Sequence, residues 1–246
     1  MQSNPDGADT DKKPATKPIN PRLYPPLKGI GYKDYLAELH KKIQPEWYLE
    51  IGTLRGGSLK VATANSIAID PKFKLDTDVY AGKKELHLFQ MTSDEFFESG
   101  RLGHYSPRID LAFLDGMHLF EFLLRDFINT EKFCTNQSTI VLHDCIPISA
   151  VAAERVWDHV RTWGWTGDVW KLVPILRKYR PDVDLQILDC PPSGLTLVSN
   201  LDSQSTVLSE NYEIIVEEFM EQTIETYGEE RLYEELQIEE SGPVTL

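Results

Sequence analysis

Five short apolar runs, at residues 47–51, 66–69, 86–89, 109–114 and 139–142, each end on a polar or charged residue. Stretches with helical character are predicted between most of them, at 58–64, 94–100 and 119–133. Runs this short and this continuously apolar suit strands buried on both faces of a parallel sheet, and their alternation with helices predicts a doubly wound, Rossmann-like α/β fold. Two later runs, 183–188 and 194–198, are joined by Cys190-Pro191-Pro192-Ser193, a link short enough for an antiparallel hairpin at the sheet edge. The expectation is seven strands, mostly parallel, with one antiparallel edge pair. Ahead of the first run, Tyr32, Tyr35, Leu36, Leu39 and Ile43 keep helical spacing until Pro45 stops it.

A chain of 246 residues has room for one α/β domain with extensions. Six prolines among the first 26 residues resist helix and strand alike, so residues 1–28 read as a flexible leader. The α/β domain is expected over 29–205 and an acidic helical extension over 206–246. Between Glu210 and Glu240 there are twelve glutamates and one arginine, so most of the formal net charge of −14 belongs to that extension. Its apolar positions Tyr212, Ile215, Phe219, Thr223 and Tyr227 share one helical face, which predicts an amphipathic helix interrupted near Gly228. Packing on the domain is the favoured role for that face; a homodimer contact or a cap over the active site is the alternative. The acidic balance argues against a nucleic-acid backbone as partner. No stretch has the apolar length of a membrane span, and three cysteines without a CxxC pair suggest neither a disulfide framework nor a thiolate metal site. A cytoplasmic setting is the expectation.

Chemistry is expected where polar residues gather beyond the strand ends. Glu50 lies inside the end of the first run, and the loop that carries Gly52, Gly56, Gly57 and Ser58 follows that run directly. Gly52 suits a tight turn, and Gly56 and Gly57 suit a backbone that a ligand approaches closely. The dinucleotide fingerprint GxGxxG is absent. Glu50 can organise this loop and a ligand's ammonium group, or serve only as a loop or helix-capping carboxylate. Asp70, at the end of the second run, is placed to accept from ribose hydroxyls, or to turn the chain before Pro71.

The ordered series EIGTLRGGS, AIDP, FQMTSDEFF, DLAFLDGMHLFEFLLRDF and IVLHDC, spanning roughly residues 32–147 with the first helix, resembles the class I S-adenosylmethionine-dependent methyltransferases. Within that class it resembles the small-molecule group called methyltransferase family 24. The resemblance implies S-adenosylmethionine in the Gly52 loop, Asp70 on its ribose, and Ser93 or Asp94 beside its adenine. It implies O-methylation of a small-molecule acceptor such as a sugar or secondary metabolite.

Asp115 and Asp144 end neighbouring runs, where two carboxylates can share a divalent cation such as Mg2+. The surrounding motifs resemble the active site of catechol O-methyltransferase, whose magnesium ligands fall on Asp115 and Asp144. The third ligand there, an asparagine, is replaced by Cys145, a poor partner for magnesium. His118, three residues past Asp115, coincides with that family's general-base lysine, and a neutral imidazole suits the same task. Helix capping or a bond to Asp126 is the structural alternative for His118, and His143 is a second candidate.

Trp157, Trp163, Trp165 and Trp170, followed by Lys171, Arg177, Lys178 and Arg180, can form a substrate wall with a basic rim. Core indoles and a solvated cationic face are the more ordinary outcome. Two other functions compete: a metal-dependent hydroxylase on the same fold, and a non-catalytic protein that binds an adenosyl ligand.

Overall fold

The computed structural model describes residues 26–105, 108–162, 164–242 and 244. Nearly all of the expected leader, and Trp163, lie outside the described residues. In chain order the elements are α1 (Tyr32–Ile43), β1 (Trp47–Ile51), β2 (Asn65–Ile69), β3 (Leu86–Phe89), α2 (Ser93–Glu98) and α3 (Leu102–Tyr105). Then come β4 (Leu111–Leu114), α4 (Phe120–Glu131), β5 (Thr139–His143), α5 (Leu172–Tyr179), β6 (Asp184–Leu188) and β7 (Leu195–Ser199). Four short helices follow: α6 (Val207–Glu210), α7 (Tyr212–Met220), α8 (Ile224–Tyr227) and α9 (Glu229–Leu236).

The seven strands form one sheet in the order β3-β2-β1-β4-β5-β7-β6. The first five are parallel; β7 runs antiparallel to both β5 and β6. The chain therefore winds outward from β1 in both directions, and the ends of β1 and β4 face each other across the switch point where such sheets bind ligands. Side-chain alternation sends Leu49 and Ile51 of β1 to one face and Tyr48 to the other. The first face is covered by α2, α4, α5 and the C-terminal helices. The second packs against α1 through Tyr35, Leu36 and Leu39, and against Leu59 and Ala62.

The helix expected at 58–64 is instead a single 3-10 turn, Leu59–Val61. β2 begins at Asn65, which leaves too few residues for a stable helix, and nucleation is the costly step. Ala62 is already extended, and Lys83 Nζ donates to the carbonyls of Leu59 and Ala62, holding the turn closed. The acidic extension is also not one interrupted helix. Besides Gly228, whose φ of 97° stops α8, the chain breaks before Thr223, whose side chain caps α8. Its apolar side packs on the domain as favoured: Ile215, Phe219, Ile224, Tyr227, Leu232 and Leu236 join the main core.

Two of the cations expected on a solvated face are buried. Lys171, with a side chain 0% exposed, pairs with Asp168 at 2.8 Å, and Arg180 pairs with Glu131 at 2.6 Å. Each lies where α5 packs on α4 or the C-terminal helices, and a charge withdrawn from water there requires a partner. Lys178 does stay exposed, paired with Glu218.

The chain end returns to the sheet. Glu239 bridges Leu188 at the free edge of β6, the Ser241 backbone N–H donates to Asp189, and Ser241 Oγ accepts from the Ile30 N–H at 2.7 Å. No described helix is long and apolar enough to cross a membrane.

Candidate active site

A cavity of about 730 Å³ opens at the carboxyl ends of β1, β2, β4 and β5. Of the residues expected to hold a cofactor, Gly52, Gly57, Ser58, Asp70, Ser93, Asp94 and Asp115 line it. Glu50 and Gly56 do not. Glu50 shares the α1 face of β1 with Tyr48 and is fully buried beneath the loop. It accepts from Tyr48 Oη at 2.6 Å and Ser58 Oγ at 3.0 Å, so it organises the loop from below. Burial pushes its carboxyl up to about 7, against the opposing hydrogen bonds of Tyr48 and Ser58.

The glycines are needed by the protein's own packing. At Gly52, φ is 87° and a Cβ would stand 1.8 Å from the carbonyl oxygen of Asp115; at Gly56 it would meet Val79 at 2.4 Å. The close approach is thus between the ends of β1 and β4, and between the loop and the β2–β3 connection. Asp70 accepts from the backbone N–H of Leu54 at 2.8 Å and of Lys72 at 2.7 Å, so it both turns the chain and fastens the glycine loop.

At the β3 side, Thr92 caps α2 through a capping box, setting Ser93 and Asp94 at the cavity wall. Asp94 is clamped by Arg125 at 2.9 and 2.7 Å, and Arg125 also donates to Tyr212 of α7 at 2.6 Å. Asp126, 2% exposed, lines the cavity beside them. Burial pushes its carboxyl up to about 7, opposed by a hydrogen bond from Ser93.

At the β4 and β5 ends, Asp115, His118 and Asp144 each offer one ligand atom, all within 4.8 Å of one another. His118 lies 3.6 Å from Asp115 through Nε2 and 3.4 Å from Asp144 through Nδ1, and Nδ1 donates to the Trp165 carbonyl at 2.8 Å. Its bond is to Trp165 and not to Asp126, because residues 165–168 fold back over the start of α4. Asp144 adopts a left-handed φ of 64°, which aspartate tolerates, and accepts from Ser193 Oγ. His143 Nδ1 stands 3.2 Å from Asp115 and 3.3 Å from Asp144, its ring packed on Tyr32 at 4.4 Å between centroids. Burial works against a charge on His118, yet the neighbouring carboxylates of Asp115 and Asp144 raise it to about 9. Its ordinary value near 6.5 therefore does not apply. The two histidines in turn hold Asp115 well below the usual carboxylate range, against its burial.

Cys145 is fully buried and turned away, its thiol directed at the carbonyls of His143 and Val169. The candidate donor set that remains is two carboxylates and one imidazole, a mixed oxygen and nitrogen set whose chemistry suits a divalent transition ion such as Mn2+ better than Mg2+.

Sequence reasoning missed Tyr32 and Lys33, which line the cavity from the start of α1, and Phe122 and Asp126, which line it from α4. It grouped Trp165 with the other indoles. Trp170 is core, but Trp165 stacks on His118 at 5.2 Å and on the exposed Trp157 at 6.1 Å. A partial signal was Gly167: a Cβ there would stand 1.7 Å from the His118 carbonyl oxygen.

No protein-family model and no curated protein sequence matches the chain. Solved structures do. The S-adenosylmethionine-bound O-methyltransferase TomG of Streptomyces achromogenes overlays with a TM-score of 0.54 at 15% identity, covering 70% of this chain and 80% of that one. The S-adenosylhomocysteine-bound methyltransferase PaMTH1 of Podospora anserina gives 0.52 at 16%, covering 70% and 78%. An O-methyltransferase of Bacillus cereus, also bound to S-adenosylhomocysteine, gives 0.51 at 14%, covering 68% and 79%. At such identities the likeness is one of fold. The chain has the Rossmann-like fold of these methyltransferases, the class its motif series resembles.

Proposed function

We propose that the protein is an S-adenosylmethionine-dependent methyltransferase acting on a hydroxyl of a small-molecule acceptor. One observation carries this: a single cavity at the switch point of a methyltransferase-type sheet joins the Gly52 loop, Asp70, Ser93 and Asp94 to the Asp115, His118 and Asp144 cluster. The solved methyltransferases that share the fold hold S-adenosylmethionine or its demethylated product, which supports the same ligand here.

In this reading Asp70 and the β3-side wall hold the adenosine, while Asp115, His118 and Asp144 receive the acceptor. The acceptor oxygen bonds to the methyl carbon as the carbon–sulfur bond breaks, and the hydroxyl proton passes to His118. Because the Trp165 carbonyl keeps Nδ1–H occupied, Nε2 is the atom that takes the proton. Because the adjacent carboxylates raise His118 to about 9, the ring is mostly cationic at neutral pH, and the neutral fraction that can take the proton grows as pH rises toward that value. A divalent cation held by Asp115 and Asp144 would supply Lewis acidity to the acceptor hydroxyl, and if it also took Nε2 of His118 that ring would be a ligand instead of the base. The donor set differs from the two imidazoles and one carboxylate by which oxygenases hold iron, which disfavours a hydroxylase.

Calorimetry of the purified chain with S-adenosylmethionine, S-adenosylhomocysteine and NAD tests the reading. Binding of the first two in the micromolar range is expected; binding of NAD alone would overturn it. Mass spectrometry of released ligands and metals identifies what the protein carries.

A further inference from the structure

Among the cationic side chains that line the cavity, His118 and His143 face Asp115 and Asp144, and Arg55 reaches Asp76 at 2.7 Å. Lys33 differs: it makes no ion pair with a carboxylate among the described residues. It is exposed at the cavity wall, one residue past Tyr32, with Nζ 5.4 Å from the Tyr32 ring centroid. The ammonium leans on the glycine loop, so that a Cβ at Gly57 would stand 2.6 Å from Nζ.

Sheet order gives this position its meaning. Ser93 and Asp94 stand beyond β3 and Asp70 beyond β2, whereas Tyr32 packs against Phe113 of β4 and His143 of β5. An adenosine held on the β2 and β3 side directs the rest of its ligand toward the β1 loop and the β4 end, where Lys33 stands. S-adenosylmethionine carries a sulfonium, an ammonium and one carboxylate. Asp70, Asp94, Asp115, Asp126 and Asp144 all line the cavity, so a ligand carboxylate is repelled along most of the wall. We propose that Lys33 binds the α-carboxylate of the methionine moiety, with Gly57 leaving room for its ammonium over the loop. This deepens the function proposed above and rests on it.

The test compares S-adenosylhomocysteine with 5′-methylthioadenosine, which keeps the adenosine and thioether but lacks the amino acid. By calorimetry on the full chain, Lys33→Ala is expected to weaken S-adenosylhomocysteine about tenfold, the effect of one charge-assisted hydrogen bond at a partly exposed site. Binding of 5′-methylthioadenosine should stay within about twofold, and Lys33→Arg should restore most of the lost affinity. The proposal is overturned if Lys33→Ala leaves S-adenosylhomocysteine binding intact, or weakens both ligands equally. If the unaltered protein binds neither, the adenosyl reading itself falls and this assignment with it. The substitution lies on an exposed face of α1, so circular dichroism should show the fold unchanged.

Discussion

The imidazole of His118 stacks on the indole of Trp165 with 5.2 Å between ring centroids, and the same residue's carbonyl accepts from His118 Nδ1 at 2.8 Å. One residue thus fixes both the plane of the ring and which nitrogen faces the cavity. The Trp165 ring is itself held, since its Nε1 donates to the Glu154 carbonyl at 2.7 Å.

Removing the imidazole should lower kcat by about 10²–10⁴, the usual yield of general-base catalysis, while S-adenosylhomocysteine affinity stays nearly constant. Trp165→Ala keeps the backbone carbonyl but loses the stack, so a smaller fall in kcat with little change in cofactor affinity is expected. Trp165→Phe should recover most of it. Steady-state kinetics paired with calorimetry decides; an unaltered kcat in His118→Ala places the base elsewhere, with His143 the next candidate.

A divalent cation should bind at the Asp115, His118 and Asp144 cluster. Asparagine tolerates the left-handed backbone of position 144, so Asp144→Asn changes charge without changing shape. Titration with Mn2+ should show a site that this variant weakens at least about tenfold, in the range that loss of an anionic ligand implies. Full turnover in excess chelator would mean that the carboxylates act on the acceptor and His118 alone.

Asp168 is a structural keystone whose loss should be severe. Its Oδ1 accepts from the Phe120 N–H at 3.0 Å, capping α4, which has no capping side chain of its own. Its Oδ2 meets Arg155 at 2.7 Å and the buried Lys171 at 2.8 Å. Asp168→Ala strands that lysine, so a loss of about 3–5 kcal/mol is expected from denaturant unfolding. A loss below about 1 kcal/mol would show that water or Glu121 takes over.

Glu50 should make stability fall as pH rises. Its carboxyl goes from an ordinary 4.5 to about 7 on folding, so the folded chain binds the extra proton between those values. The stability linked to that proton is fully present below about 4.5 and is lost as pH climbs through 7. Glu50→Gln removes the dependence. The difference in unfolding free energy between variant and parent should shift toward the variant by about 2–3 kcal/mol across that window, and a constant difference would contradict the assignment.

Much of the fold was legible because the strands are short and apolar. β1 and β3 fall where their runs predict, and the hairpin of β6 and β7 was visible in its short proline link. That Asp115, His118 and Asp144 would stand together was legible too, since each follows a strand end and the topology gathers those ends. What hides from the sequence is direction and distance. Glu50 has the residue type of a ligand contact, yet pleating turns it under the loop. Gly52 signals a close approach, but only the folded arrangement shows that the approaching atom is the Asp115 carbonyl oxygen. Lys33 lies within a predicted helix, and nothing local reveals that β4 and β5 arrive beside its first turn.

The attachment of Ser241 to Ile30 has a consequence for the order of assembly. Residue 30 leads directly into Tyr32 and Lys33, so the wall that they form is fastened by residues made some two hundred positions later. On a ribosome, the β1 loop and the β4 end can come together while the C-terminal residues are still unsynthesised. The hydrogen bond from the Ile30 N–H to Ser241 can form only afterwards, so the approach to α1 receives this one tie last, on a helix already packed against the sheet through Tyr35, Leu36 and Leu39.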